Sequence, residues 1–438
     1  LPTTVATMIT FDRRSPRNRD RTNPSDIPTV SAKDKLGVRN SMRSLEIFSG
    51  AGGLAKGLEL AGFQHAAFVE FNKHACATLR ANFEADKVFE GDVRTFDFRG
   101  VGSVDLVAGG PPCQPFSLGG KHEAHDDTRD MFPAAAAAIE ALAPSAFVFE
   151  NVKGLLRASF ADYFRYVLLR LTYPDATIRA DQDWRSHLGM LSKLNFGNYE
   201  GLKYRVRHAL IDAADYGIPQ SRERVFIVGT RADTGVRWSF PQPTHSQNRL
   251  LWDKHVTGAY WQRHAIDLAQ RENPSANIAA RVRKYRDESG LFGEERKPWE
   301  TIRDALAGVP HPLAPHEIRD HVFRSGARTY PGHTGSDIDE VAKTIKAGVH
   351  GVPGGENMIR DRDGSVRYLT VFEAKRLQTF PVDFMISGAW GEALRQIGNA
   401  VPVMLAKQLG QQLYSMLVTS TIPIGWADSP IAEAAHPA

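Results

Sequence analysis

The chain has 438 residues, with 54 Lys and Arg against 50 Asp and Glu, a formal charge of +4, 42% hydrophobic and 24% charged residues. That composition describes a globular chain and excludes a wholly disordered protein or one that coats polyanions by bulk charge. No run reaches the ~18 apolar residues of a membrane span, and two cysteines, Cys76 and Cys113, cannot build a disulfide framework or a four-cysteine zinc site, so a reducing, intracellular compartment without a membrane partner is expected.

Residues 1–43 hold seven Arg and two Lys against four Asp, and read as a disordered basic leader. From Leu45 short apolar runs alternate with helical segments. "LEIF" (45–48) reads as a strand, "GGLAKGLELAGF" (52–63) as a helix, "AAFVE" (66–70) as a strand and "NKHACATLRANF" (72–83) as a helix opened by Asn72. "VDLVAG" (104–109) is a strand, "RDMFPAAAAAIEALAP" (129–144) a helix stopped by Pro144, and "AFVFE" (146–150) a strand. "YRVRHALIDAADYG" (204–217) starts as a strand and "RVFIVGT" (224–230) is another. Strand and helix alternating at this spacing imply crossover units and a mostly parallel α/β sheet. The rhythm breaks over residues 231–330. It returns in "TVFEAKRLQTF" and in the amphipathic "PVMLAKQLGQQLYSML" (402–417), and the last residues read as a flexible tail.

The first strand runs into "FSGAGGLA", whose Gly50, Gly52 and Gly53 let backbone approach a ligand closely at a strand–helix turn. Glu70 ends the second strand 20 residues later, where a carboxylate can accept from ribose hydroxyls. Asp92 in "GDV" can face an adenine amino group. This pattern points to a nucleoside cofactor without naming it, and Gly50, Gly52 and Ala55 leave an NAD-dependent oxidoreductase open.

"GGPPCQPFS" (109–117) leaves the carboxyl end of a strand, the edge where open α/β sheets bind ligands. Pro111, Pro112 and Pro115 fix the attitude of Cys113, which suits a nucleophile that needs aim. Glu150, in "FENV", ends the next strand and can donate to a ring nitrogen when protonated. "PQSRERVF" (219–226) adds Gln220, Arg222 and Arg224. Two arginines two residues apart point the same way and can address a phosphate and a base carbonyl. His311, His316, His321 and His333 are too scattered for a metal site, and no metal is expected.

Taken in order, "EIFSGAGGL", "VEFNKHA", "GDV", "GGPPCQPFS", "FENVKG", "PQSRERVFIVG" and "QIGNAVPVMLAK" resemble the successive motifs of the DNA cytosine-5 methyltransferases over about residues 44–230 and 365–415. The resemblance implies S-adenosylmethionine as cofactor and a Rossmann-like sheet, mostly parallel with one antiparallel edge strand. It places Phe48, Gly50, Gly52, Glu70, Asp92, Val93 and Asn399 at the cofactor. It makes Cys113 the covalent nucleophile, Glu150 its acid partner, Arg224 the holder of the base carbonyl and Arg222 a positioner of the DNA backbone. The target base must be flipped out of a duplex.

The implied organisation is a catalytic domain over 44–230, an inserted target-recognition lobe over 231–385, a return over 386–420 and a tail over 421–438. The long segment Leu155–Lys203 departs from the shortest family members and reads as an insertion. Gln114, Ser117, Gln220, Arg324 and Arg328 are the DNA-contacting candidates. In the lobe, "RVRKYRDE" (281–288), "FRSGARTYPGHTGS" (323–336) and "KAGVHGVPGGE" (346–356) are the recognition candidates. The expected partner is double-stranded DNA, with a cognate restriction endonuclease as a second. The expected setting is a bacterial cytoplasm, nucleoid-associated through DNA, with the chain as a monomer. An RNA cytosine methyltransferase and a catalytically silent DNA-binding relative are the competing readings.

Overall fold

The structure, a computed structural model, describes residues 41–112, 130–179, 182–271, 273–289, 295–331, 333–347, 357–419 and 431–433. Residues 1–40 of the expected leader, Cys113, Gln114, Ser117, most of the glycine-rich 346–356 stretch and most of the tail lie outside the described residues; Met42 and Arg43, assigned to that leader, instead open the first strand of the sheet.

Strand β1 (Met42–Ile47) feeds helix α1 (Gly53–Leu60), then β2 (Phe63–Glu70), α2 (Lys73–Asn82), β3 (Val88–Glu90) and β4 (Leu106–Gly109). Helix α3 (Phe132–Leu142) leads to β5 (Ala146–Val152), α4 (Ala161–Thr172), α5 (Trp184–Leu191), β6 (Tyr204–Asp212) and β7 (Glu223–Arg231). Local chemistry sets these boundaries. Asn72 accepts from the backbone N–H groups of His74 and Ala75, both at 3.0 Å, and so starts α2. Pro133 sits in the first turn of α3, where its missing N–H costs nothing.

The strand order is β6-β7-β5-β4-β1-β2-β3, and Ile431–Glu433 adds a short strand outside β6. Neighbours are parallel except at β7, which runs antiparallel to both β5 and β6. The expected antiparallel edge strand is therefore interior. The ten-residue link from Asp212 to Glu223 folds back as a hairpin, and β7 slots between β5 and β6. Both sheet faces are covered, as a mostly parallel sheet requires. Phe147 and Phe149 of β5 pack with α3 and α4, whereas Ala146 and Val148 pack in the cluster containing Leu58 of α1.

The second lobe carries β8 (His245–Ser246), α6 (Gln247–His255), α7 (Ala259–Arg263), α8 (Ala276–Ser289), β9 (Lys297–Pro298) and α9 (Ile302–Ala305). It continues through β10 (Ser336–Asp337), β11 (Met358–Arg360) and β12 (Val366–Tyr368), after which come α10 (Val371–Leu377) and α11 (Trp390–Asn399). Leu250, Tyr260, Trp261 and Trp299 form one apolar cluster. Ile302, Ile345, Ile359, Leu369, Leu377 and Ile397 form another, so α10 and α11 share a core with the lobe.

Helix α12 (Val403–Thr419) crosses back to the sheet and joins Leu58, Phe63, Leu106 and Val148 through Leu405, Leu409 and Leu413. Small residues allow this contact. A Cβ on Gly57 would stand 2.3 Å from Ala406 Cβ and 2.6 Å from the Val403 carbonyl oxygen.

Candidate active site

At the carboxyl ends of β1 and β2 the chain makes a tight turn held by one carboxylate. Glu70 Oε2 accepts from the N–H of Gly50 at 2.7 Å, and Oε1 from the N–H of Asn72 at 2.8 Å. Phe48, Gly50 and Gly52 have φ of +53°, +54° and +83°; Gly52 needs this left-handed conformation to open α1. A Cβ on Gly52 would also meet Phe83 at 2.8 Å. Each Glu70 oxygen keeps a lone pair beyond its backbone bond, so the group is oriented yet able to accept further bonds.

Asp92 caps the short turn Val93–Thr95 and pairs with Arg94, whose hydrogen bonds hold the Asp92 carboxyl below its usual range. Val93 is buried under this turn. The C-terminal return lies against the same place. A Cβ on Gly53 would meet the Val401 carbonyl oxygen at 2.3 Å, and Ala51 shares a cluster with Phe380 and Ala400. Gln378 fixes that return, its Nε2 donating to the carbonyls of Ile397 and Ala400. Asn399 is exposed at the end of α11. Phe71, 78% exposed next to Glu70, is a further candidate at this edge that none of the motifs includes as a site residue. Its signal is an aromatic residue directly after the strand-end acid, where a ring can stack on a planar ligand.

The second half of the site is built on β4, β5 and β7. Arg224 pairs with Val152 in the strand register, so Glu150, two residues earlier, lies diagonally across on the same face. Arg224 Nε stands 2.9 Å from Glu150 Oε1, both side chains largely buried. That Oε1 nevertheless makes no hydrogen bond, so the contact is an ion pair without an aligned N–H. The carboxylate thus keeps an acceptor position open. Arg224 Nη1 donates to the Glu223 carbonyl at 2.8 Å.

Asn151 links this pair to the proline loop. Its Nδ2 donates to the Pro111 carbonyl at 3.0 Å, two residues before Cys113. The N–H of Met131 donates to the Pro112 carbonyl at 3.3 Å, so the chain enters and leaves the 113–129 segment at one point.

Two expected DNA contacts are corrected by burial. Gln220 is fully buried, and its carboxamide oxygen accepts from the Ile345 N–H at 2.9 Å rather than from DNA. Arg222 is 2% exposed and donates to the Gly398 carbonyl at 2.9 Å, out of reach of a phosphate. Its Nε and Nη1 have no protein partner. Desolvation, and then repulsion from Arg224, pulls its guanidinium down to about 9, while Glu150 opposes the change.

Arg324 and Arg328 are exposed, and the Arg324 guanidinium lies 4.4 Å from the centroid of the Trp390 ring. Cys76 is not a rival nucleophile: it is buried, and desolvation first, then Glu70 and Glu90, push its thiol up to about 12. A cavity of about 300 Å³ opens between α3, α4 and α5, lined by Tyr163, Tyr166 and Trp184. Its polar groups are committed locally: Asp183 caps α5, and Arg170 donates to three backbone carbonyls.

The family model for C-5 cytosine-specific DNA methylases matches residues 42–172 and 187–415. The unmatched gap, 173–186, falls inside the long Leu155–Lys203 segment, whose helix α4 belongs to the match. The Type II methyltransferase M.PspPI of Psychrobacter sp. (strain TA137) is 32% identical over 377 residues, covering 85% of this chain and 79% of that one. The Type II methyltransferase M.NgoMIV of Neisseria gonorrhoeae is 30% identical over 374 residues, covering 85% and 97%. The crystal structure of the S. pombe Dnmt2 methyltransferase shares the fold, with a TM-score of 0.51 at 18% identity, covering 86% of this chain and 98% of that one.

Proposed function

Since the chain belongs to the C-5 cytosine-specific DNA methylases, enzymes that methylate carbon 5 of cytosine in DNA with S-adenosylmethionine, we propose that its chemistry runs through Cys113, Glu150 and Arg224. One observation carries this assignment: the Glu150–Arg224 pair stands at the sheet's carboxyl edge, beside the proline loop that Asn151 anchors.

The Cys113 thiolate adds to carbon 6 of an extruded cytosine. Glu150 protonates or hydrogen-bonds ring nitrogen 3 and so draws electron density inward. Arg224 holds the ring carbonyl oxygen. The adduct turns carbon 5, a poor nucleophile in the free ring, into an enamine carbon. When bound, S-adenosylmethionine supplies an electrophilic methyl carbon. Once carbon 5 carries the methyl group, its proton passes to solvent, the freed electron pair re-forms the 5,6 double bond, and the carbon 6–sulfur bond breaks to return the Cys113 thiolate.

For the donor, the turn at Gly50 and Gly52 offers a backbone cradle. Glu70 offers open lone pairs to ribose hydroxyls, Asp92 a carboxylate to an adenine amino group, and Phe71 a stacking face. Phe48, Val93 and Asn399 border the same place. Arg324 and Arg328 are exposed where they can contact DNA, Gln114 and Ser117 remain sequence-based candidates for such contacts, and the inserted lobe chooses the site.

The likeness to Type II methyltransferases supports a role in a restriction–modification system, with an orphan methylase as the alternative; a cognate endonuclease, a monomeric state and a bacterial cytoplasm complete the reading. Among the described residues no helix is long and apolar enough to cross a membrane.

The test is methylation of duplex DNA by Cys113→Ser and Glu150→Gln, with a duplex carrying 5-fluorocytosine as the covalent trap. Both variants should lose turnover yet keep S-adenosylmethionine binding, and Cys113→Ser should form no trapped adduct. Undiminished turnover by Cys113→Ser would end the covalent scheme.

A further inference from the structure

We propose that Gln220 is a positioning residue that couples the state of the inserted lobe to the Glu150–Arg224 pair, an inference that rests on the catalytic reading above. The segment Pro219–Ser221 is not a free loop. It is paired, β-fashion, with Ala342–Ile345 of the lobe. The Ala342 N–H donates to the Pro219 carbonyl at 3.1 Å, and the Ser221 N–H to the Ala342 carbonyl at 2.9 Å. Thr344 Oγ1 donates to the Ser221 carbonyl at 2.8 Å. The Ile345 N–H donates to Gln220 Oε1 at 2.9 Å, and this one bond runs through a fully buried side chain.

The next residue carries the connection inward. Arg222 donates to the Gly398 carbonyl, and Gly398 itself lies against the backbone of the same lobe segment. A Cβ on Gly398 would stand 2.9 Å from the Lys346 carbonyl carbon and from the Ala347 nitrogen. Three chain segments, 219–222, 342–347 and the end of α11, therefore meet at one point.

On the sheet side, Asp212 holds the segment, its carboxylate accepting from Ser221 Oγ at 2.7 Å and from the Arg222 N–H at 2.8 Å. A shift of 342–347 cannot slide past this segment without breaking hydrogen bonds in a dry interior, where an unmade bond is costly. It must instead move residues 220–222 about the Asp212 anchor.

Arg222 is the residue that reports such a movement. Its cation acts on both Arg224 and Glu150, repelling the first and attracting the second. In a water-excluded site a small displacement of an unscreened charge changes the balance at the pair. Lobe engagement by the correct DNA site is thereby read out as the setting of the reacting carboxylate and its guanidinium.

The experiment uses the full chain with Gln220→Met, which keeps volume and removes the acceptor of the Ile345 N–H, and Thr344→Val, which removes the separate lobe hydroxyl that donates to the Ser221 carbonyl. The substrates are its own methylation site, found by bisulfite sequencing, and the same duplex with one base pair changed. Single-turnover methylation is measured per enzyme trapped by 5-fluorocytosine DNA, beside S-adenosylmethionine affinity and thermal midpoint.

Each variant should lower the single-turnover rate on the true site 10-fold or more and shrink discrimination against the altered duplex. Cofactor affinity should stay within 2-fold, and the two substitutions together should be non-additive. Wild-type rate and discrimination in both variants would overturn the proposal. So would a loss that merely tracks the trapped fraction and the thermal midpoint, since that is a structural role alone. Glu150→Gln and Arg224→Ala run in parallel: retained turnover there sinks the catalytic reading, whereas their inactivity beside normal Gln220→Met sinks only the coupling.

Discussion

Replacing Arg222 with Met should make the protein more stable and less active. The guanidinium is buried, with one hydrogen bond to the Gly398 carbonyl and two nitrogens, Nε and Nη1, that have no protein partner. Two unmade donors cost ~1–3 kcal/mol each, and the variant leaves one carbonyl unpaired at a similar cost, so the net gain is roughly 1–3 kcal/mol. Met follows the same unbranched path and fills the space.

The pH dependence has a definite sign. The folded-state value, about 9, lies below the ordinary 12.5. The unfolded chain then holds the proton longer, and wild-type stability rises with pH above about 9. The advantage of the variant should therefore be largest at pH 7 and shrink by pH 10. Urea midpoints at the two pH values measure it, and single-turnover methylation measures the loss of the second cation beside Glu150. An Arg222→Met chain less stable than wild type by more than ~1 kcal/mol at pH 7 would refute the reasoning, because those donors would then have to be satisfied by buried water.

Other changes test neighbouring parts of the site. Asn151→Ala frees the Pro111 carbonyl, and the ~1–3 kcal/mol at stake should appear as a 10- to 100-fold slower single turnover, with S-adenosylmethionine affinity unchanged by calorimetry. Gly57→Ala gains ~1 kcal/mol of helix propensity but forces a Cβ onto Ala406 and two backbone atoms of α12. Overpacking of that kind costs ~1–3 kcal/mol, so a net loss of stability is expected in urea titration. Iodoacetamide at pH 8 should leave Cys76 unmodified in the native chain and label it in urea, with peptide mass spectrometry as the readout, because its thiol is pushed up to about 12. Cys76→Ser should keep methylation activity.

Much of this was legible because the deciding interactions are local. Asn72 caps the helix it precedes, and the seven-residue β5 ends at its motif with Glu150 in place. The Glu70 carboxylate closes a turn that begins 20 residues earlier, a distance fixed by one strand–helix–strand unit. What the sequence concealed depends on distant partners. Gln220 looks like a polar motif residue facing solvent, yet its acceptor is used by an amide 125 positions away. Arg222 and Arg224 share a motif and a direction, but only the second meets Glu150 directly; the first is enclosed by the end of α11. The interior position of β7 follows from a hairpin link whose hand and pairing no residue type announces.

The seat of α12 against α1 has a consequence for synthesis. Leu58, Phe63, Leu106 and Val148 come early, but Leu405, Leu409 and Leu413, which cover them, leave the ribosome only after the whole inserted lobe has been made. A chain cut short before residue 403 shows a greasy sheet face to chaperones and proteases. Docking of α12 is thereby the step that seals this face of the sheet from solvent.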